Sequence, residues 1–183
     1  MSFPVPAPEI PEEVLDEHGW EETSKDTEGM TKDVFGAVEV EALAHTKKYE
    51  VSGTPEDDAR LFFANRTRTE PGFEDLPFGV GEDRVKGIVK SFARDRFKDE
   101  FRERGMCDLT SVDEDRTEAE TGEEVDLEEI TAAYEPDDGE RTEVSGRIGV
   151  WYADGDVFTA GGVYPTQGGE SGEDVLELMR AVR

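Results

Sequence analysis

The chain has 183 residues, a length that suits one domain able to bury about 70% of its unfolded surface without disulfides or metal. Its 47 acidic residues outnumber its 20 basic residues, which gives a formal net charge of −27. This charge argues against nucleic acid as a partner, because phosphate contacts need clustered positive charge. The hydrophobic content is only 34%, but the patterned strands described below argue against disorder of the whole chain.

The acidic composition is typical of a folded protein that works in high salt. Self-repulsion at −27 destabilises a compact state in dilute buffer, whereas at molar salt the Debye length falls to about 3 Å and most of the repulsion is screened. The single cysteine, Cys107, allows no internal disulfide and fits a reducing compartment. The first residues have neither the basic nor the apolar region of a signal peptide, and no run reaches the ~18 apolar residues of a membrane span. We therefore expect a cytoplasmic protein without membrane contact.

The N-terminal half of the chain predicts a lead segment, a short helix and three strands. Prolines crowd residues 1–9 and favour an extended lead, after which residues 10–183 are expected to form a single domain. A helix begins at Pro11 and ends at His18, because proline is favoured in the first turn and Gly19 follows. Three β patterns come next, at residues 20–25, 34–50 and 60–69.

The C-terminal half predicts a main helix, a strand meander and a final helix. The loop at residues 70–81 holds three apolar side chains, so it either folds over an edge of the core or closes over a ligand. The main helix spans residues 82–104, and its apolar stripe makes it the principal cover of the sheet. That stripe contains Val85, Ile88, Val89, Phe92, Phe97 and Phe101. Three β patterns and the last helix follow, at residues 109–117, 125–134, 141–152 and 175–182.

Residues 147–164 are predicted to form the hairpin on which the sheet is centred. Two β-rich runs flank Asp154 and Gly155, which tolerate the positive φ angles of a type I′ turn. The expected cross-strand pairs are Ala153 with Asp156, Tyr152 with Val157, and Trp151 with Phe158. Both faces of this hairpin are apolar, so it belongs in the middle of a sheet that is covered on both sides. The predicted fold class is α+β, a central antiparallel sheet of about six to seven strands covered by helices.

No motif in the sequence identifies a reaction centre. The acidic run at residues 113–115 resembles the start of a calcium loop, but Glu118 stands where an EF-hand requires glycine. The candidate transition-metal ligands, His18, His45 and Cys107, lack paired spacing, and His18 is expected to be structural at the end of its helix. We therefore predict no catalytic residue, no metal and no cofactor.

The main helix carries the one local departure from the acidic charge pattern. Between residues 82 and 104, eight basic residues face six acidic ones, a net charge of +2. In one interpretation, salt bridges within the helix account for this charge. In the other, the helix and the third strand present a docking surface for an acidic protein partner. That predicted surface consists of Arg66, Arg68, Arg94 and Arg96.

Several segments resemble a family of haloarchaeal proteins that has no assigned activity. These segments are residues 19–22, 41–50, 61–67, 150–151 and 160–165, and the resemblance spans most of residues 10–165. The order of the elements is also similar to that of the Mog1/PsbP-like α-β-α sandwich. Known members of that fold mostly act as binding or assembly factors, so this second resemblance implies binding rather than catalysis.

These observations favour a non-catalytic binding or accessory protein that uses the basic helix face or a sheet surface. Two alternatives stay open, a carboxylate-based metal-assisted hydrolase and a structural homodimer. Carboxylates that converge in a deep pocket would favour the enzyme, whereas a shallow apolar patch rimmed by arginine would favour the binding protein. The expected oligomeric state is a monomer or a homodimer.

Overall fold

The computed structural model describes residues 4–34, 38–51, 59–72, 75, 82–137, 139–167 and 171–183. In these ranges the chain forms three helices and seven strands. They are α1 (Glu12–His18), β1 (Trp20–Val34), β2 (Val38–Val51), β3 (Leu61–Glu70), α2 (Glu82–Glu103), β4 (Met106–Glu118), β5 (Glu124–Tyr134), β6 (Thr142–Ala153), β7 (Asp156–Pro165) and α3 (Ser171–Ala181). The strands form one antiparallel sheet in the order β1-β2-β3-β7-β6-β5-β4. The fold is therefore α+β, as predicted.

The sheet consists of two meanders that meet in its middle. Strands β1, β2 and β3 pair in chain order, and so do β4, β5, β6 and β7. Helix α2 carries the chain from β3, inside the sheet, to β4 at its far edge, while pairing of β3 with β7 joins the meanders. We call the two sides of the sheet the α2 face and the α1/α3 face, after the helices that cover them.

The structure confirms the predicted central hairpin. Asp154 and Gly155 have φ angles of 52° and 81°, as a type I′ turn requires. The cross-strand pairs are Ala153 with Asp156, Tyr152 with Val157, and Trp151 with Phe158. Eight consecutive residues of β7, from Asp156 to Val163, are buried, because helices cover this part of the sheet on both faces.

On the α2 face, the core lies beneath the C-terminal half of α2. The ring centroids of Phe97 and Phe101 lie 5.5 and 5.3 Å from that of Phe63 on β3, and all three rings are buried. Phe92, which lies five residues before Phe97 in α2, is 37% exposed, and Ile88 is half-buried. Ile88 and Phe92 do face the sheet, as the predicted stripe requires, but they border a space that the described side chains do not fill. The side chains of Val85 and Val89 lie outside the described part of the structure.

On the α1/α3 face, aromatic residues and α3 form the second core. Trp151 stacks on Phe158 with ring centroids 5.5 Å apart, and Trp20 meets Phe62 edge-on at 6.2 Å. Val175, Leu178 and Met179 of α3 are fully buried in the same cluster. Both tryptophans therefore belong to this core.

The N-terminal lead packs beside the end of the chain. Glu9 and Arg183 exchange two backbone hydrogen bonds, of 2.8 and 2.9 Å, and Ile10 is buried against the α1/α3 core. Helix α1 follows Pro11 and ends at Gly19, whose φ of 74° is left-handed. This agrees with the predicted helix ends.

Strand β1 is longer than predicted. It continues from Trp20 to Val34 instead of ending near residue 25. Between residues 21 and 29 its side chains are exposed on both faces, so the apolar alternation that marks a half-buried strand is missing.

Among the described residues, no helix combines the length and the apolar character needed to cross a membrane.

Candidate functional site

A cavity opens between residues 88–100 of α2 and strands β1, β2 and β3. Its volume is about 80 Å³, several times the roughly 10–15 Å³ that one water molecule requires. Apolar side chains form most of its wall. The main contributors are Met30, Ala42, Ala44, Phe63, Ile88 and Phe92. Ile88 and Phe92, which belong to this wall, are the least buried apolar side chains among the described ones of α2.

Polar side chains of β2 and β3 form the floor of the cavity. The amide of Asn65 donates to the Thr46 hydroxyl at 2.8 Å and accepts from the Thr67 hydroxyl at 2.8 Å. Two residues further along β3, the Thr69 hydroxyl is buried and has no hydrogen-bond partner within the described part of the chain. Thr69 is only 4% exposed. The floor therefore offers hydrogen-bonding groups inside an otherwise apolar space.

Charged side chains at the mouth of the cavity are paired with one another. Arg96 of α2 contacts Glu28 of β1 and lies 3.8 Å from Glu100. Lys48 of β2 donates to Glu100 at 2.8 Å. Two positive and two negative charges meet here, so these four described side chains together carry no net charge.

A buried carboxylate lies beside α2 on its other flank. Glu128 of β5 is 2% exposed, and its oxygens lie 3.0 Å from Arg94 Nε and 2.9 Å from Lys98 Nζ. Ser111 of β4 donates a hydrogen bond to it. Burial alone raises the pKa of Glu128, but the hydrogen bonds from Ser111 and Lys98 and the neighbouring positive charges outweigh it, so the pKa lies below its ordinary value. This cluster fastens α2 to the sheet.

A second buried carboxylate lies on the α1/α3 face. Asp156 is fully buried and accepts hydrogen bonds from Arg66 Nε at 2.6 Å and from Arg68 Nε at 2.7 Å and Nη2 at 2.8 Å. The bond to Asp156 raises the pKa of Arg68. The Arg68 guanidinium also donates to the carbonyl oxygen of Pro4, and Arg66 stacks over Phe158. The cluster thereby holds the lead segment against the sheet.

The structure thus brings Arg66 and Arg68 together but separates them from Arg94 and Arg96. The first pair lies on the α1/α3 face and the second on α2, across the sheet. Each of the four forms an ion pair within the chain. Among the described side chains, most ion pairs of α2 are formed with carboxylates of the strands, and two are formed within the helix, where the first interpretation expected them. Contact of either pair with an acidic partner stays a prediction.

The three candidate transition-metal ligands lie on different elements. His18 ends α1, His45 lies on β2, and Cys107 lies on β4. Because four strands separate β2 from β4, those two residues are roughly 24 Å apart. The Cys107 thiol lies 3.4 Å from the carbonyl oxygen of Ala133, and burial raises its pKa. The structure does not bring the three residues together.

His18 links α1 to α3. Its Nδ1 lies 3.1 Å from the carboxylate of Asp174 and its Nε2 lies 2.8 Å from that of Glu177. Glu17, His18 and Glu177 have possible ligand atoms within 4.8 Å of one another, but both glutamates are exposed. Since both ring nitrogens already contact carboxylates, this geometry favours the structural role predicted for His18.

The polar floor of the cavity was not predicted from the sequence. Asn65 and Thr67 belong to a glycosylation-type triplet, yet Asn65 is only 8% exposed within β3. The available signal was alternation, because Asn65, Thr67 and Thr69 continue the face that Leu61 and Phe63 begin. A strand face that changes from apolar to polar beneath a helix indicates incomplete packing. Of the predicted cover or lid at residues 70–81, residues 73–74 and 76–81 lie outside the described part of the chain.

Comparison with known proteins agrees with the expected membership of a family without an assigned activity. The comparison with curated proteins found no match to the chain. A family model described as "Domain of unknown function (DUF6517)" matches residues 7–183, nearly the whole sequence. The chain therefore belongs to the DUF6517 family.

Proposed function

We propose that this chain is a non-catalytic binding protein that holds a small apolar molecule between α2 and strands β1 to β3. The observation that carries the proposal is the cavity of about 80 Å³ at that place. Protein interiors are normally packed to the density of organic crystals, so an apolar space beneath a helix is a loss of packing energy that a ligand can restore. Its apolar wall and few polar groups are the usual composition of a small-molecule site.

The surroundings of the cavity also support binding rather than catalysis. The charged groups at its mouth form ion pairs with one another. These groups are Arg96, Lys48, Glu28 and Glu100. The feature expected of a binding protein was a shallow apolar patch rimmed by arginine, and this cavity combines an apolar wall with one arginine, Arg96. The likeness in element order to the Mog1/PsbP-like fold points the same way. No observation of comparable weight favours the hydrolase or the structural homodimer.

The net charge of −27 supports a working environment of high salt, and we propose the cytoplasm of a halophile. Binding experiments on this protein therefore belong in molar KCl. At low ionic strength, self-repulsion destabilises the fold, so a loss of binding could not be distinguished from a loss of folded protein.

Titration with ethylbenzene, monitored by two-dimensional amide NMR in molar KCl, tests the proposal. We expect saturable shifts in α2, β2 and β3. Ala44→Leu fills part of the cavity and should weaken binding, whereas Leu43→Phe adds bulk to the opposite face of the same strand and should leave it unchanged. Absence of saturable binding to the wild type, or equal binding by both variants, would refute the proposal.

A further inference from the structure

We infer that the cavity selects a neutral ligand that carries a hydrogen-bond acceptor, such as a carbonyl oxygen, and that the Thr69 hydroxyl donates to it. This inference rests on the proposed function and adds the class of ligand. Thr69 is a lining residue, is 4% exposed, and has no hydrogen-bond partner among the described residues. Buried polar groups are nearly always paired, so an unpaired hydroxyl that borders a cavity indicates a partner supplied from outside the chain.

The hydrogen bonds of the floor leave two hydroxyl protons available to a ligand acceptor. Asn65 donates to Thr46, so the oxygen of Thr46 is already used as an acceptor and its own proton remains to be donated. The Thr67 hydroxyl donates its proton to the side-chain oxygen of Asn65. The floor therefore presents two hydroxyl protons, from Thr46 and Thr69, and a ligand oxygen with two lone pairs suits them.

The charges around the cavity favour a neutral ligand. The guanidinium of Arg96 and the ammonium of Lys48 are held by Glu28 and Glu100, which leaves no unpaired cation among these groups for a carboxylate or phosphate. The two glutamates are likewise occupied, so a ligand cation has no free partner among them. Burial of an unpaired charge in an apolar space is strongly unfavourable. An anion is also repelled by the net charge of −27.

The chain supplies a matched control in Thr159. Its hydroxyl is also fully buried and has no partner among the described residues, and it lies on the α2 face opposite Asn65 in the adjacent strand. Thr159 is not a lining residue of the cavity. Replacement of either threonine by valine keeps the shape of the side chain and removes one unpaired hydroxyl. Only the replacement of Thr69 should change ligand binding.

The experiment compares acetophenone with ethylbenzene, two probes of similar shape that differ in the carbonyl oxygen. We expect Thr69→Val to weaken acetophenone roughly 3- to 10-fold, the range for one net hydrogen bond, and to leave ethylbenzene unchanged. Thr69→Ser retains the hydroxyl and should keep most of the acetophenone affinity. Thr159→Val should leave both probes unaffected. Benzoate, the anionic analogue, should not bind to the wild type.

The outcomes separate the two proposals. If ethylbenzene binds but Thr69→Val changes the affinity for acetophenone no more than Thr159→Val does, the inference is overturned while the binding function stands. Tighter binding of benzoate than of acetophenone would overturn the neutral class of ligand. If neither neutral probe binds, the proposed function itself fails. Amide shifts that stay dispersed in every variant exclude misfolding as the cause of a lost affinity.

Discussion

Removal of the Asp156 carboxylate should destabilise the fold strongly. In the structure this fully buried group accepts three hydrogen bonds, two from Arg68 and one from Arg66, at 2.6 to 2.8 Å. Asp156→Ala leaves two guanidinium groups side by side without their counter-ion. Loss of one partner of a buried ion pair costs about 3–5 kcal/mol. The arginine side chains are 14% and 31% exposed, so water can reach them, and we expect a loss near the lower limit, about 3 kcal/mol.

Urea unfolding at constant KCl, followed by tryptophan fluorescence and by far-ultraviolet circular dichroism, measures this loss. Glu124→Ala is the matched control, because it also removes one negative charge but from a pair whose side chains are 65% and 70% exposed. The control should change the free energy of unfolding by less than about 1 kcal/mol. A difference between the two variants below about 1 kcal/mol would show that the arginines do not depend on Asp156, and would refute our reasoning.

Three further predictions concern groups that the structure places under constraint. The pKa of Glu128 is lower in the folded chain than its ordinary value of 4.5, so the ionised group stabilises the fold above that pH. This contribution disappears as the pH falls through the folded pKa. The free energy of unfolding should therefore decline less on acidification for Glu128→Gln than for the wild type. Thr159→Val removes a buried unpaired hydroxyl and should raise the free energy of unfolding by about 1 kcal/mol in the same urea assay. Gly161→Ala should lower it by about 1–3 kcal/mol, since the new Cβ would lie 2.7 Å from the carbonyl oxygen of Arg147 in the paired strand; an unchanged urea midpoint would contradict that close approach.

Local chemistry explains which parts of the fold were predictable. The turn at Asp154 and Gly155 and the pairing of Trp151 with Phe158 depend on adjacent residues and on strand alternation, and the structure confirms both. The ends of α1 follow from Pro11 and the glycine after the helix for the same reason. These features need no knowledge of the tertiary arrangement.

The ion pairs and the cavity depend on tertiary contacts, so the sequence alone could not predict them. Arg94 and Lys98 contact Glu128 of β5, and that contact follows from the path of α2 over the second meander. This part of β3 is polar on both faces, because Asn65 and Thr67 lie on one face and Arg66 lies on the other. Such a sequence pattern is typical of an exposed strand. Only the position of α2 shows that one of these faces is covered and forms the floor of a cavity.

The placement of both tryptophans on the α1/α3 face determines what intrinsic fluorescence can report. Trp20 and Trp151 are 3% and 1% exposed and lie in one cluster with α3, separated by the sheet from α2 and the cavity. Their emission therefore follows the packing of α1, α3 and the lead segment. Loosening of α2, or entry of a ligand beneath it, can proceed while the emission spectrum stays constant. A transition seen by circular dichroism at lower urea than by fluorescence would mark the layer that contains α2 as the first to open.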